Sequence, residues 1–155
     1  MCDFLSAVYT SAGKLICEPV YTDSHAELLD FAGIQERNTA APVQQFVRLE
    51  LTPPADHTAW RSLEKWSEQI DEHETPAWFD AAARFSAFEA MRDIIQASFF
   101  EGCGRLQFGR LLNITDGSAI VQGCRVTAWS GSNVTARFGS NVTAEFGSNV
   151  TAEFG

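Results

Sequence analysis

The sequence predicts an α+β head domain followed by a short β-solenoid of octad repeats, two octads to the coil. Three observations carry that prediction. The last twenty-five residues read GSNVTARFGSNVTAEFGSNVTAEFG, three copies of one octad and the glycine that opens a fourth. Charge is divided unevenly: residues 1–102 hold seventeen Asp/Glu against seven Lys/Arg, a net of −10, whereas residues 103–155 hold three against four, a net of +1. The first hundred residues mix stretches of period two with stretches of helical period, the mark of strands and helices together. The chain therefore reads as an acidic domain over 1–102 and a solenoid over 103–155, with clear octads from 123 to 155.

In the head, FLSAVYT and KLICEPV read as strands joined across SAG, a hairpin turn. DSHAELLDFAG reads as a helix, with Ser24 as N-cap, Glu27 at the capping-box position and Gly33 as its stop. QQFVRLELTPP is the clearest strand, because Phe46, Arg48 and Glu50 alternate with Val47, Leu49 and Leu51. Residues 58–73 carry two readings. Trp60, Leu63, Trp66 and Ile70 have helical spacing, while KWSEQID alternates as a strand does. TPAWFDAAARFSAFEAMRDIIQASFF reads as the longest helix, capped by Thr75 with Pro76 in its first turn and Asp80 near the positive end of the dipole.

The octad has strand chemistry. Val134, Ala136 and Phe138 alternate with Thr135 and Arg137, which places the first set inward, and GSN supplies turn formers. The predicted core of the solenoid is Val126, Val134, Ala136, Phe138, Val142, Ala144 and Phe146. Eight residues span only about 26 Å when extended, too little to go out and return around packed side chains. Two octads suffice, and the charges agree. With one octad per coil, Glu145 would stack on Glu153 about 4.8 Å away, whereas two octads place Arg137 on Glu153. The Asn-Val-Thr triplets are then by-products of the repeat rather than glycosylation sites.

AEFGSNVT resembles the octad of bacterial ice-nucleation proteins, which implies a β-solenoid for residues 123–155. The outward residues here are Thr135/Arg137 and Thr143/Glu145 rather than long Thr-x-Thr ladders, and four octads with the glycine that opens a fifth are few, so the resemblance carries the fold and not ice binding. MCDF, TDSH, FVRLELTP and ETPAWFD resemble a group of phage and bacterial proteins. The resemblance implies the same joining of a head to a Gly/Ser octad array, and no activity with it.

With 155 residues, 45% of them hydrophobic, the chain can bury a real core. An acidic surface disfavours phosphate contacts, so no nucleic-acid partner is expected. No apolar run reaches the length of a membrane span, and MCDFLSAVYTSAGK lacks the regions of a signal peptide; the expected compartment is the cytoplasm, that of a phage-infected bacterium where the second resemblance holds. The four cysteines have no CxxC spacing and read as free thiols, with no zinc site and no cofactor. DEHE reads as a solvated acidic face rather than a metal site, since three adjacent residues cannot all point at one ion. Trp60, Trp66 and Trp78 read as core or interface anchors rather than a ligand box.

Cys2 carries the sharpest catalytic reading. Removal of Met1 would expose its α-amine as a base, the arrangement of N-terminal nucleophile amidohydrolases such as glutaminase domains that open Met-Cys-Gly, and His25 would be its candidate partner. Asp3 stands where those domains have glycine. The bland alternative is a packed thiol at the start of the first strand. A third reading makes the acidic head an inhibitor of a basic host surface. The main expectation is a non-enzymatic protein that self-associates, as a homo-oligomer or fibre, through Val150, Ala152 and Phe154 at the end of the solenoid.

Overall fold

The computed structural model describes residues 5–35, 44–107 and 111–153. Two units separate between Ile94 and Ile95. In the first, β1 (Leu5–Thr10) turns through Gly13 into the short β2 (Leu15–Ile16). Helix α1 (His25–Phe31) follows, then β3 (Phe46–Thr52) and β4 (Ser67–Ile70), giving an antiparallel sheet of order β2-β1-β3-β4. The alternation read in β3 is realised: Val47, Leu49 and Leu51 are fully buried, and the residues between them are half-exposed. Ser24 accepts the Glu27 N–H to start α1, and Gly33 takes positive φ just past its end.

Each face of this sheet has its own cover. Val8 and Ile16 pack with Leu28 and Leu29 of α1, and full burial of each of those leucines stabilises the fold by roughly 2 kcal/mol. On the opposite face the Tyr9 ring meets Phe79 edge-on at 5.9 Å. Glu68 of β4 there binds Arg84 and Arg92 of helix α2 (Ala81–Ser98). Between β3 and β4, 3₁₀ turns at His57–Ala59 and Leu63–Lys65 replace the helix that one reading of 58–73 allowed. Trp60 and Trp66 stack edge to face at 5.7 Å, and their indole N–H groups donate to the Pro54 and Trp60 carbonyls. The tryptophan spacing is thus met by two turns, and the SEQI alternation by a strand.

Helix α2 starts later than its sequence suggests. Thr75 and Pro76 precede a turn closed by Phe79 N–H donating to the Pro76 carbonyl. Asp80 is the effective cap, because its Oδ1 accepts the N–H groups of both Ala82 and Ala83. A carboxylate that satisfies two of the helix's orphan donors outcompetes Thr75 for the role.

The second unit is a β-solenoid of about three turns. Its parallel strands are β5 (Phe99–Gln107), β6 (Leu111–Gln122), β7 (Arg125–Ala128), β8 (Asn133–Arg137), β9 (Asn141–Ala144) and β10 (Asn149–Ala152). The charge boundary after residue 102 therefore lies inside β5. The long β6 rounds a corner, pairing with β7 through Leu111–Ile114 and with β8 through Ser118–Gln122. At that corner a Cβ on Gly117 would sit 2.0 Å from the Gly102 carbonyl oxygen, so only glycine fits. Farther along, Val126 pairs with Val142 and Val134 with Val150, each sixteen residues on. The core comprises Leu112, Ile114, Ala119, Val121, Cys124, Val126, Ala128 and Val134, with Ala136 and Val142 packed against it.

Phe138 and Phe146 lie outside that core, 80% and 98% exposed. The strand alternation that would point them inward ends before each, at Arg137 in β8 and at Ala144 in β9. Ser140 N–H donates to the Arg137 carbonyl and Ser148 N–H to the Glu145 carbonyl, closing four-residue turns with Gly139 and Gly147 at positive φ in the third position. Each phenylalanine therefore occupies the second position of a type II pattern and points to solvent. Ala144 is exposed as well, lying on the last described rung. No helix among the described residues is long and apolar enough to cross a membrane.

Candidate functional site

Two of the residues read as a self-association surface, Val150 and Ala152, lie on β10, and its companion β9 completes the last described rung. Both strands repeat the Asn-Val-Thr-Ala of β8, so β10 presents outward the same side chains that β8 presents to it, and β9 differs from the β7 beneath it only in Asn141 over Arg125. Within the described residues, β9 and β10 end the strand order, each with a neighbour on one side only. Asn149 N–H donates to the Ser132 carbonyl and Glu153 N–H to the Ala136 carbonyl, while Asn141 and Glu145 bond in the same way to Cys124 and Ala128. In a parallel strand successive residues bond to opposite neighbours. Val142, Ala144, Val150 and Ala152 consequently turn their N–H groups toward the open edge.

Side chains reinforce the register beneath that edge. Asn149 Nδ2 donates to Asn133 Oδ1 at 3.1 Å. Arg137 directs both Nε and Nη2 to Glu153 Oε2 at 2.9 Å, which neutralises the one charge that would otherwise guard β10. Val150 is 40% exposed and Ala152 is exposed. Phe154, the third predicted contact, lies outside the described residues.

Cys2 lies outside the described residues. His25 opens α1 with Nε2 3.1 Å from the Leu49 carbonyl and Nδ1 3.6 Å from Asp71 Oδ2, so it engages β3 and the end of β4. Cys17, Cys103 and Cys124 are free. Burial, with the nearby Glu18 charge, pushes the Cys17 thiol up to about 12, which keeps it protonated and unreactive at neutral pH. Glu72 of the DEHE run accepts the Arg48 N–H at 3.0 Å and lies 3.5 Å from its guanidinium, tying that segment to β3. Trp78 donates its indole N–H to the Gln44 carbonyl.

Sequence reasoning missed the outward Phe138 and Phe146. The signal was present as Phe-Gly-Ser, a turn in which glycine's position fixes the phenylalanine one step earlier. Compared with protein-family models, curated proteins and solved structures, the chain matches none.

Proposed function

We propose that this is a non-enzymatic assembly protein whose solenoid, with two octads to the coil, joins a second copy of the chain through its last rung. The observation that carries the reading is the repetition of Asn-Val-Thr-Ala across β8, β9 and β10 at an open parallel edge. The sixteen-residue offset of β8 on β10 supports the coil size. An edge with outward N–H and C=O groups and an exposed valine pairs with any strand that offers the complementary edge. Another molecule's rung supplies identical side chains. The near-neutral solenoid also avoids the repulsion that the acidic head sets up between copies.

The test is light scattering on the full chain and on an Ala144→Pro/Ala152→Pro variant. Both prolines remove N–H groups that face the open edge and spare the bonds to the rung beneath, the position in a sheet where proline is tolerated. The full chain should associate at micromolar concentration, and the variant should be monomeric with its circular dichroism retained. A monomeric parent, or a variant that associates unchanged, overturns the reading. Phe138 and Phe146 favour a lateral contact as the second reading; that contact would be abolished by Phe138→Ser/Phe146→Ser and not by the prolines.

A further inference from the structure

We propose that His25, Glu50 and Asp71 form a site for one first-row divalent cation, of the zinc or manganese type. Three separate elements bring them together: His25 opens α1, Glu50 lies in β3, and Asp71 follows β4. One ligand atom from each lies within 4.8 Å of the other two. Sheet register explains the convergence. Glu50 pairs with Gln69, so Asp71, two residues on, faces the same side as Glu50, and its N–H is pinned to the Arg48 carbonyl at 3.0 Å.

The histidine is oriented as a ligand. A carbonyl only accepts, so the Nε2 contact to Leu49 fixes the hydrogen on Nε2 and leaves the Nδ1 lone pair toward the carboxylates. Ligating histidines characteristically donate their other ring N–H to a backbone carbonyl or carboxylate. Bonds of about 2.0–2.2 Å place neighbouring ligand atoms roughly 3–3.5 Å apart, and the Nδ1–Oδ2 separation is already 3.6 Å.

A second observation points the same way. Ser6 is 2% exposed, and its hydroxyl has no hydrogen-bond partner among the described residues. Ser6 pairs directly with Glu50 across β1 and β3, so both side chains rise from the same face as neighbours. A buried hydroxyl beside Glu50 is placed to donate to that carboxylate once an ion holds it. One nitrogen and two carboxylates suit a borderline cation, and the net charge of −10 over residues 1–102 attracts one. The Asp71 side chain is 56% exposed, which leaves room on that side for water to complete the coordination.

The experiment titrates the full chain, stripped with EDTA, with Zn²⁺ and with Mn²⁺ by calorimetry. One equivalent should bind, and Asp71→Asn and His25→Gln should each weaken binding by at least about tenfold, the usual loss from disturbing even an outer-shell group. Glu64→Gln, an acidic residue outside the cluster, should leave affinity unchanged. Mn²⁺ should broaden the His25 ring resonances before those of His57 and His73. Asp71 is exposed, so its variant keeps the fold and the result stays interpretable even where His25→Gln unfolds. Affinity weaker than about 1 mM, or equal affinity in Asp71→Asn and the parent, overturns the proposal and leaves His25 and Asp71 as an ion pair.

Discussion

Replacing Arg137 by glutamate should open the last rung of the solenoid before any other part of the chain. The substitution deletes the contacts of Nε and Nη2 with Glu153 Oε2. Both side chains are partly exposed, so the pair itself is worth at most about 1 kcal/mol. Reversing the charge adds repulsion between two carboxylates one strand spacing apart, roughly another 1 kcal/mol in a water-like dielectric. A loss of about 1–2 kcal/mol raises the open population by a factor of roughly 5–30. Strand β10 is exposed throughout and, within the described residues, ends the sheet, so it opens alone rather than with the core. Amide exchange reads this directly. The Asn149 and Glu153 amides, bonded to Ser132 and Ala136, should exchange faster by that factor, while the Trp129 amide, bonded to Ile114, should not change. The charge-swapped Arg137→Glu/Glu153→Arg chain should recover most of the loss, and added salt should reduce the penalty in the single variant. Unchanged exchange in Arg137→Glu, or no rescue by the swap, would sink the sixteen-residue register and the assembly argument built on it.

Three further outcomes are expected. Val126→Asp buries an unpaired charge in the solenoid core and should cost at least about 3 kcal/mol, melting that unit in a thermal scan; Phe146→Asp, at a solvent-facing turn, should leave the melting temperature within a degree or two. Burial raises the pKa of Glu68, but the hydrogen bonds and charges of Arg92 and Arg84 outweigh it and hold the carboxyl below its ordinary 4.5. Because the folded pKa is depressed, the stabilisation is complete at pH 7 and fades as pH falls below 4.5, so urea titrations of the parent and Glu68→Gln should differ at pH 7 and converge in acid. Asp80→Ala should cost about 1 kcal/mol by loss of two cap hydrogen bonds, and Thr75→Ala almost nothing; the reverse order would restore the earlier helix start.

Local rules made much of the head readable. Ser24 and Gly33 fix α1 because capping is settled within a few residues, although the Ser24 N–H donates to Thr22 Oγ1 rather than to a Glu27 capping box, and the alternation of β3 reports one buried and one covered, partly polar face. Failures came where two local rules competed. Thr75-Pro76 and Asp80 are both helix starts by residue type, and the choice fell to Trp78 and Phe79, whose rings find partners on Gln44 and Tyr9 only if the chain turns before the helix. Phe138 and Phe146 fit the strand period and the turn equally well, and glycine at positive φ decided for the turn. The cluster of His25, Glu50 and Asp71 leaves no trace in sequence spacing, since it depends on the pairing of β3 with β4 and on where α1 begins. Adjacent acidic residues such as DEHE draw attention in a sequence, yet one of them, Glu72, serves a strand backbone and Arg48.

The same geometry weighs on the form of the proposed assembly. A parallel solenoid has two unlike ends, and at the other end β5 carries Phe-Phe-Glu-Gly-Cys-Gly where β10 carries Asn-Val-Thr-Ala. Head-to-tail stacking would set a short rung with positive-φ glycine corners against a strand of different side chains and a bulge between Phe100 and Glu101. Joining two last rungs by a two-fold axis matches identical edges, with the strands running antiparallel across the junction, and it closes the interface after one addition. It also uses one contact per chain, whereas a fibre needs two. The proposed assembly is therefore a dimer whose mass stops growing at two chains as concentration rises. Salt should strengthen it only modestly, because the residues that meet carry little net charge and the acidic residues lie mainly in 1–102.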